Sequence, residues 1–231
     1  MSKVTEPILI HGKPLIKFHS KEIIEKFQKG SFYMQSLEIY RKMEVAEGNT
    51  IVGDDFEGMF HVNEAEALEP KSGKIMNIVN GLIPTVYSND FAFCMFHICP
   101  QEDTFIFSDK QKEKLRGFGD TALLITDQNK FFKRIYLAAE RRGFSVNHGP
   151  VIYFDESIDS FNLLVKLMRK PESFAFLKRK KKYDYQQEYR FVIHADNIMA
   201  DHIELDIGDI SDISEVMPTL KILNSTAKRG E

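Results

Sequence analysis

The segment from Lys178 to His194 constrains the fold more than any other part of the chain, because it joins a run of charge to a strand pattern. Five consecutive cations, Lys178 to Lys182, cannot share one buried surface and predict a solvated loop. The residues from Glu188 to His194 then alternate with a two-residue period, which predicts a β-strand. A basic loop is therefore expected to lead into a strand whose first residue is a carboxylate.

In this predicted strand, Glu188 and Arg190 share one face, whereas Tyr189 and Phe191 share the other. One interpretation is an ion pair on a solvent-facing sheet surface, which would contribute only about 0 to 1 kcal/mol. The other is a carboxylate that projects into a cleft, oriented by the neighbouring guanidinium, with Gln186 two positions earlier on the same face. The alternation alone leaves both interpretations open.

Apolar periodicity and turn residues predict the remaining elements. Strands are expected at 8–10, 15–19, 31–35, 75–79, 82–87, 91–98, 121–126, 151–154, 203–205 and 220–223. Helices are expected at 21–29, at 108–115, between Asp127 as its cap and Gly143 as its stop, and at 158–168. Asn80-Gly81 is expected to form a hairpin turn. Residues 41–74 are polar, hold several glycines, and predict a long, partly ordered excursion.

These elements predict the α+β class, as a single domain over 1–223 with a mixed, mainly antiparallel sheet flanked by helices. A chain of 231 residues can remove roughly 70% of its unfolded surface from water, and no Pro- or Ser-rich linker divides it. The chain has 19 Phe and no Trp, so phenylalanine is expected to be the main aromatic residue of the core. Residues 224–231 are expected to be a frayed tail.

Composition excludes several function classes. The net charge of −3 gives no bulk attraction to nucleic acid or to a membrane. No apolar run reaches about 18 residues, and the first residues lack the apolar core of a secretory signal. Cys94 and Cys99 lie in an apolar run, as is typical of buried thiols in a reducing compartment. The expected location is the cytoplasm, without membrane association.

Metal binding is not expected. The histidines are scattered without ligand spacing, and the side chains of Cys94 and Cys99 should point to opposite faces of a strand, which argues against zinc. The acidic residues Asp54, Asp55 and Glu57 could hold a divalent ion, but a solvated loop is the more common use of such a cluster.

The chain has a predicted strand that ends in His19, then a helix and a glycine, and much later a strand that opens with Gln186-x-Glu188. This order of elements resembles that of the ADP-ribosyltransferase superfamily. Over most of its length, the chain also resembles an uncharacterised bacterial group that ends in a Glu-x-Glu-Tyr-Arg strand. Here the corresponding residues are Gln186 to Arg190. The chain departs from that group in having no Trp and in reading Phe-Cys-Met at 93–95, where the group has Cys-Phe-Ser.

The resemblance implies a split sheet, NAD as substrate and a set of site residues. It implies that Glu188 stabilises the positive charge that develops on the ribose, and that Gln186 orients the acceptor nucleophile. It implies that His19 binds the NAD ribose. A central element packs on the nicotinamide in that superfamily, and three residues are candidates for it: Tyr33, Ser36 and Tyr40.

In that superfamily the loop before the final strand helps to recognise the target. The corresponding residues here are basic with two aromatics: Arg179, Lys180, Lys181, Lys182, Tyr183 and Tyr185. Such a loop suits the phosphates and bases of a nucleic acid and equally suits an acidic protein.

Two functions are therefore expected as alternatives. The first is an ADP-ribosyltransferase-like enzyme that modifies a macromolecule inside a bacterial cell, as a toxin or phage-defence effector. The second is a non-catalytic binding or regulatory module of the same fold, which contacts a protein or nucleic-acid partner through residues 178–185. A nuclease is disfavoured, because no carboxylate trio with a lysine has suitable spacing.

Overall fold

The computed structural model describes residues 8–10, 14–47, 57, 59–68, 75–84, 90–98, 104–155, 171–195 and 198–229. Its strands are β1 (Ile8–Ile10), β2 (Leu15–His19), β3 (Ser31–Ser36), β4 (Met59–Leu68), β5 (Ile75–Pro84), β6 (Asp90–His97), β7 (Thr104–Ile106), β8 (Thr121–Ile125), β9 (Val146–Pro150), β10 (Ile152–Phe154), β11 (Leu177–Arg179), β12 (Glu188–His194), β13 (His202–Asp206), β14 (Ser214–Pro218) and β15 (Thr226–Arg229). Its α-helices are α1 (Lys21–Gln28), α2 (Leu37–Glu47), α3 (Asp109–Leu115), α4 (Gln128–Glu140), α5 (Lys180–Tyr183) and α6 (Thr219–Leu223). The α+β class is confirmed.

The main sheet has 8 strands, and every pairing in it is antiparallel. One path runs β13-β3-β6-β2-β8-β14, and β12 pairs with the other edge of β6 and carries β9. Smaller sheets join β1, β15 and β7, β10 with β11, and β4 with β5. Strand β6 therefore lies at the centre of the main sheet.

The sheet is split beside β6. At one end of β6, His97 and Phe96 pair with β2, whereas Ala92 and Phe91 at the other end pair with β3. Between them, the carbonyl of Cys94 accepts a hydrogen bond of 2.8 Å from Nζ of Lys17 instead of from a strand. A side chain thus satisfies a backbone acceptor at the point where β2 and β3 diverge.

Helix α1 connects β2 to β3 across this split. It buries Ile24 and Phe27 against the sheet. The chain then reverses at Gly30, whose φ of 110° favours glycine. A Cβ atom at Gly30 would lie 2.8 Å from the carbonyl carbon of Gly208, so a larger residue would push these two turns apart.

One face of the sheet, here called the aromatic face, forms the larger core. Phe191 of β12 lies 5.7 Å from both Phe32 and Phe131, measured between ring centroids, and Phe93 stacks on Phe32 at 4.2 Å. Helices α1 and α4 cover this face through side chains such as Phe27 and Phe131. Close-packed phenylalanine rings therefore fill the space between the sheet and these helices.

The structure corrects several expected elements. The chain from 37 to 47 forms α2, and 59–68 forms β4, although 41–74 was expected to be an excursion. The expected turn at 80–81 lies inside β5, and the expected strand at 220–223 is helix α6. The expected tail contains β15, which pairs with β1 and β7. The helix expected at 158–168 lies outside the described residues.

Candidate functional site

The face of the main sheet opposite the aromatic face carries a group of charged side chains at the start of β12. Residues paired directly across two strands project to the same side, so Glu188 lies on the side of Phe96, and Arg190 on the side of Cys94. Phe191 projects to the aromatic face. The predicted alternation is confirmed, but both faces of β12 are buried rather than one facing solvent.

Arg190 is the centre of this group, and only 1% of its surface is exposed. Its Nη1 and Nη2 donate to the two carboxylate oxygens of Glu57 at 2.5 and 2.9 Å, and its Nε donates to Oε1 of Glu188 at 2.5 Å. Nη1 also donates to the carbonyl oxygen of Ala175 at 2.7 Å. The guanidinium is thus held by two carboxylates at once.

Lys178 completes the group from β11. Its Nζ lies 2.8 Å from Oε2 of Glu188, and both side chains are buried. We call Glu57, Lys178, Glu188 and Arg190 the Glu188 cluster. Each carboxylate in it contacts a cation, as buried charges require.

The position of Lys178 corrects the expectation that the basic run is a solvated loop. The run forms β11 and α5, and Lys178 points into the protein, whereas Lys180 and Lys181 are exposed. Tyr183 is fully buried beneath the run, and the cations of Lys178 and Lys182 lie 4.7 and 5.2 Å from its ring centroid. The run therefore has an inner and an outer side.

The sequence did not single out Glu57 as a member of the cluster. It was expected in a solvated acidic loop, but 3% of its surface is exposed and it pairs with Arg190. Asp54 and Asp55 of the same motif lie outside the described residues. A count of charges would have indicated a second carboxylate, because an arginine buried on a strand needs more acceptor oxygens than Glu188 alone supplies.

The cluster keeps Glu188 ionised. Burial by itself raises the pKa of Glu188, but the charges of Arg190 and Lys178 outweigh it and hold the pKa far below its usual range. A hydrogen bond from the Cys94 thiol acts in the same direction. Burial, with the charge of Glu188, raises the pKa of Cys94 to about 12, so this thiol stays protonated at neutral pH.

Three partly accessible side chains lie near Glu188, those of Tyr40, Cys94 and Tyr153. Burial is the main cause that raises the pKa of each. Tyr153 also accepts a hydrogen bond of 2.8 Å from the backbone N–H of Glu188. The first residue of β12 is therefore next to a partly accessible tyrosine.

Lys17 adds a further cation at the split. Burial lowers its pKa, and the charge of Glu188 acts in the opposite direction. The ammonium also lies 4.4 Å from the ring centroid of Phe93. Lys17 is within electrostatic range of the cluster without contacting either carboxylate.

The structure does not bring His19 to Glu188. Phe96 of β6 pairs with both Glu188 and Ile16, so these three side chains share one face. His19 is three residues beyond Ile16 and projects to the aromatic face. Its Nδ1 accepts a hydrogen bond of 2.9 Å from the N–H of Ser20, and burial lowers its pKa.

Gln186 lies beside Glu188 in sequence but not on the same strand. Residues Asp184–Gln186 form a 3₁₀ turn, and Gln187 then takes a left-handed conformation with φ of 37°. The strand begins only at Glu188, so Gln186 does not alternate with Glu188 along one strand as expected. The buried amide of Gln186 donates to the hydroxyl of Tyr185 at 3.3 Å.

Of the three candidates for the central element, only Tyr40 reaches the cluster. Like Cys94, it packs against Val192 and Ala92. Burial raises its pKa, the charge of Glu188 acts in the same direction and that of Arg190 opposes it. Tyr33 is exposed and stacks on His202, with 4.6 Å between ring centroids. The hydroxyl of Ser36 accepts a hydrogen bond from the N–H of Glu38 at the start of α2.

The residues expected to recognise a target divide by exposure. Lys180 and Lys181 face solvent, and Arg179 and Lys182 are partly accessible. Tyr183 and Tyr185 are both buried, so their rings cannot stack on an external base in this structure.

Comparisons with known proteins add no relative: no family model, curated protein or solved structure matches the chain. Within the described ranges, no group of three or more His, Cys, Asp or Glu side chains is placed to hold a metal ion. None of the helices described has both the length and the apolar character needed to cross a membrane.

Proposed function

We propose that this chain is an ADP-ribosyltransferase-like enzyme that transfers ADP-ribose from NAD to a macromolecule, with Glu188 at its reaction centre. One observation carries the proposal. An ionised carboxylate, fixed at the start of a central strand by Arg190 and Lys178, lies within electrostatic range of the partly accessible ring of Tyr40.

The proposed chemistry needs such a carboxylate. The bond between ribose C1′ and the nicotinamide nitrogen breaks, and the departing nicotinamide takes the electron pair. The ribose becomes oxocarbenium-like, and a fixed negative charge beside it stabilises that state. A nucleophile of the target then bonds to C1′ and loses its proton to solvent. Glu188 stays ionised throughout, consistent with its low pKa.

The neighbouring residues receive positioning roles. Arg190 and Lys178 hold one carboxylate oxygen each, so the carboxylate of Glu188 cannot rotate freely. Tyr40 supplies the aromatic surface for the nicotinamide, in place of Tyr33, which is exposed and stacks on His202. His19 has no role in this site because it lies on the opposite face.

The proposal is tested by incubating the protein with labelled NAD and a cell extract and measuring label on macromolecules. Glu188→Gln should lower the rate by about 100-fold or more, as expected when a fixed transition-state contact is lost. His19→Ala is the matched control and should retain activity. Equal labelling by Glu188→Gln and the unaltered protein, or a loss of labelling with His19→Ala alone, would remove the mechanism.

Because Glu188→Gln can also weaken folding, a second pair of variants tests the site. Tyr40→Phe keeps the ring that packs on the nicotinamide and should retain most activity, whereas Tyr40→Ala should lose it. Thermal melting of each variant identifies any that is unfolded at the assay temperature.

A second candidate is a non-catalytic module that binds a partner through its exposed cations. The observation that favours it is the occupation of both oxygens of Glu188, of which only 5% is exposed, while Lys180 and Lys181 face solvent. NAD distinguishes the two candidates. At 100 times its dissociation constant, NAD should stabilise the enzyme by about 2.7 kcal/mol and leave the binding module unchanged.

A further inference from the structure

A groove with a volume of about 800 Å³ opens where α1 begins, between the loop after α3 and the edge strand β14. It is separate from the Glu188 cluster, because none of the cluster residues lines it. Thr121, on its floor, pairs with His19 and so places the groove at the far end of β2. A groove of this size can accommodate a small organic molecule.

The loop wall of the groove is tightly built. Gly119 has a φ of 150°, and a Cβ atom there would lie only 2.1 Å from the carbonyl carbon of His19. The hydroxyl of Thr219 donates to the carbonyl oxygen of Gly119 at 2.8 Å. The loop is therefore packed against the end of β2 and fastened to α6, which fixes the shape of this wall.

Positive charge lines one side of the groove. Arg116 is exposed, and among the described residues its guanidinium has no ion-pair or hydrogen-bond partner. The ammonium of Lys21 has one carboxylate nearby, that of Glu25 at 3.7 Å, and both of these side chains are largely exposed. Asp120, the acid among the described lining residues, accepts a hydrogen bond of 2.9 Å from the hydroxyl of Thr121. The groove thus offers an unpaired guanidinium and a weakly paired ammonium.

Apolar surface lines the other side. Val216 of β14 is 40% exposed and Leu220 of α6 is 50% exposed, and Met217 lies between them in sequence. Large apolar side chains that remain accessible next to cations are typical of sites for ligands with an apolar body and an anionic group. The two sides together define the chemistry of the ligand.

We propose that this groove binds a small organic anion with an apolar body, such as an aryl or acyl phosphate. The anionic group lies between Arg116 and Lys21, where it forms charge-assisted hydrogen bonds. The apolar body lies against Val216 and Leu220. This site is independent of the function proposed for Glu188.

Calorimetric titration with 1-naphthyl phosphate tests the site in the full chain. Inorganic phosphate and 1-naphthol each present only half of the ligand, so both should bind at least about tenfold more weakly than the intact probe. Arg116→Gln should weaken the binding of 1-naphthyl phosphate about tenfold or more, since it removes a charged donor. Lys114→Gln removes a cation from the neighbouring helix and should leave the affinity unchanged.

Val216→Asp checks the apolar side, because an acid placed there repels the ligand without disturbing a buried position. It should abolish binding. The proposal is overturned if 1-naphthyl phosphate does not bind, if Arg116→Gln binds as tightly as the unaltered protein, or if 1-naphthol binds equally well. Glu188→Gln that remains folded should retain binding, so this result and the NAD assay can fail separately.

Discussion

The two faces of β12 are both buried, one by aromatic side chains and the other by paired charges. On the aromatic face, Phe191 packs between Phe32 and Phe131 through ring contacts alone. On the opposite face, one residue away along the strand, Arg190 is held between Glu57 and Glu188. Both side chains are about equally inaccessible to water.

The two faces should differ in how much stability a single substitution removes. Apolar burial is non-directional and scales roughly with area, so an aromatic core loses stability in proportion to what is removed. Buried ion pairs contribute little net stability when complete, but removal of one partner leaves a charge in a medium that cannot solvate it. The Glu188 face should therefore be the more sensitive of the two to a change in a single functional group.

The largest effect is expected for Arg190→Met, which keeps much of the side-chain bulk but removes the charge. Glu57 loses its bidentate partner and Glu188 loses one of two cations. The free energy of unfolding should fall by about 3–5 kcal/mol, as measured by urea denaturation.

Met95→Leu is the matched change on the aromatic face, since Met95 is also buried and lies on the paired strand β6. A volume-conserving apolar exchange of this kind usually costs less than about 1.5 kcal/mol. Equal losses for Met95→Leu and Arg190→Met would contradict the contrast between the two faces.

The pH dependence of Glu188→Gln sharpens the comparison with a smaller effect. The folded-state pKa of Glu188 lies below its usual value of 4.5, so its ionised form adds stability above pH 4.5 that is lost as the pH falls below this value. At neutral pH the variant should be less stable by about 1.5–3 kcal/mol, because it loses hydrogen bonds to charged groups.

Urea denaturation of both proteins between pH 7 and pH 3 measures this difference. The gap between them should be constant at neutral pH and should narrow below about pH 4.5. A gap that stays constant to pH 3 would mean that Glu188 is not held ionised by its neighbours.

The smallest effect is expected within the basic run itself. Lys181 is exposed and lies 3.8 Å from a carboxylate oxygen of Asp155, so Lys181→Ala should change the free energy of unfolding by less than about 1 kcal/mol. Lys178→Met should cost several times more because it leaves Glu188 with one cation. Thermal and urea unfolding measure the loss of stability in each variant. If Lys178→Met and Lys181→Ala lose similar amounts, Lys178 is not buried with its partner.

Where local pattern decides the structure, the sequence predicts it well. Strands Leu15–His19 and Glu188–His194 have the expected bounds, because alternating apolar residues match a buried pleat. Helix α4 begins after Asp127, whose side chain accepts a hydrogen bond from the N–H of Lys130 as expected of a cap.

Where distant partners decide, the sequence is not sufficient. Asn80 and Gly81 have strong turn preferences, but β4 pairs with β5 on both sides of them, with Val62 opposite Gly81 and Glu64 opposite Val79. The face of Glu188 and Arg190 follows from the alternation, whereas Glu57 is 133 residues from Arg190 and joins the site only through the fold. His19 lies three residues beyond Ile16 along β2, so its side chain projects to the face opposite Glu188.

The split beside β6 has a mechanical consequence. In a continuously paired sheet, each strand is hydrogen-bonded to its neighbours along its whole length. Here β2, β8 and β14 form one group of strands and β3 and β13 form another, and both groups pair with β6. At Cys94 the bridge to β2 is the ammonium of Lys17, on a long aliphatic stem. That contact can change its length or angle without breaking a strand pair, whereas the shared aromatic core, with Leu123 on one side and Phe32 on the other, holds the two groups of strands together. At Cys94 the two sides of the sheet are therefore joined by side chains rather than by backbone pairing.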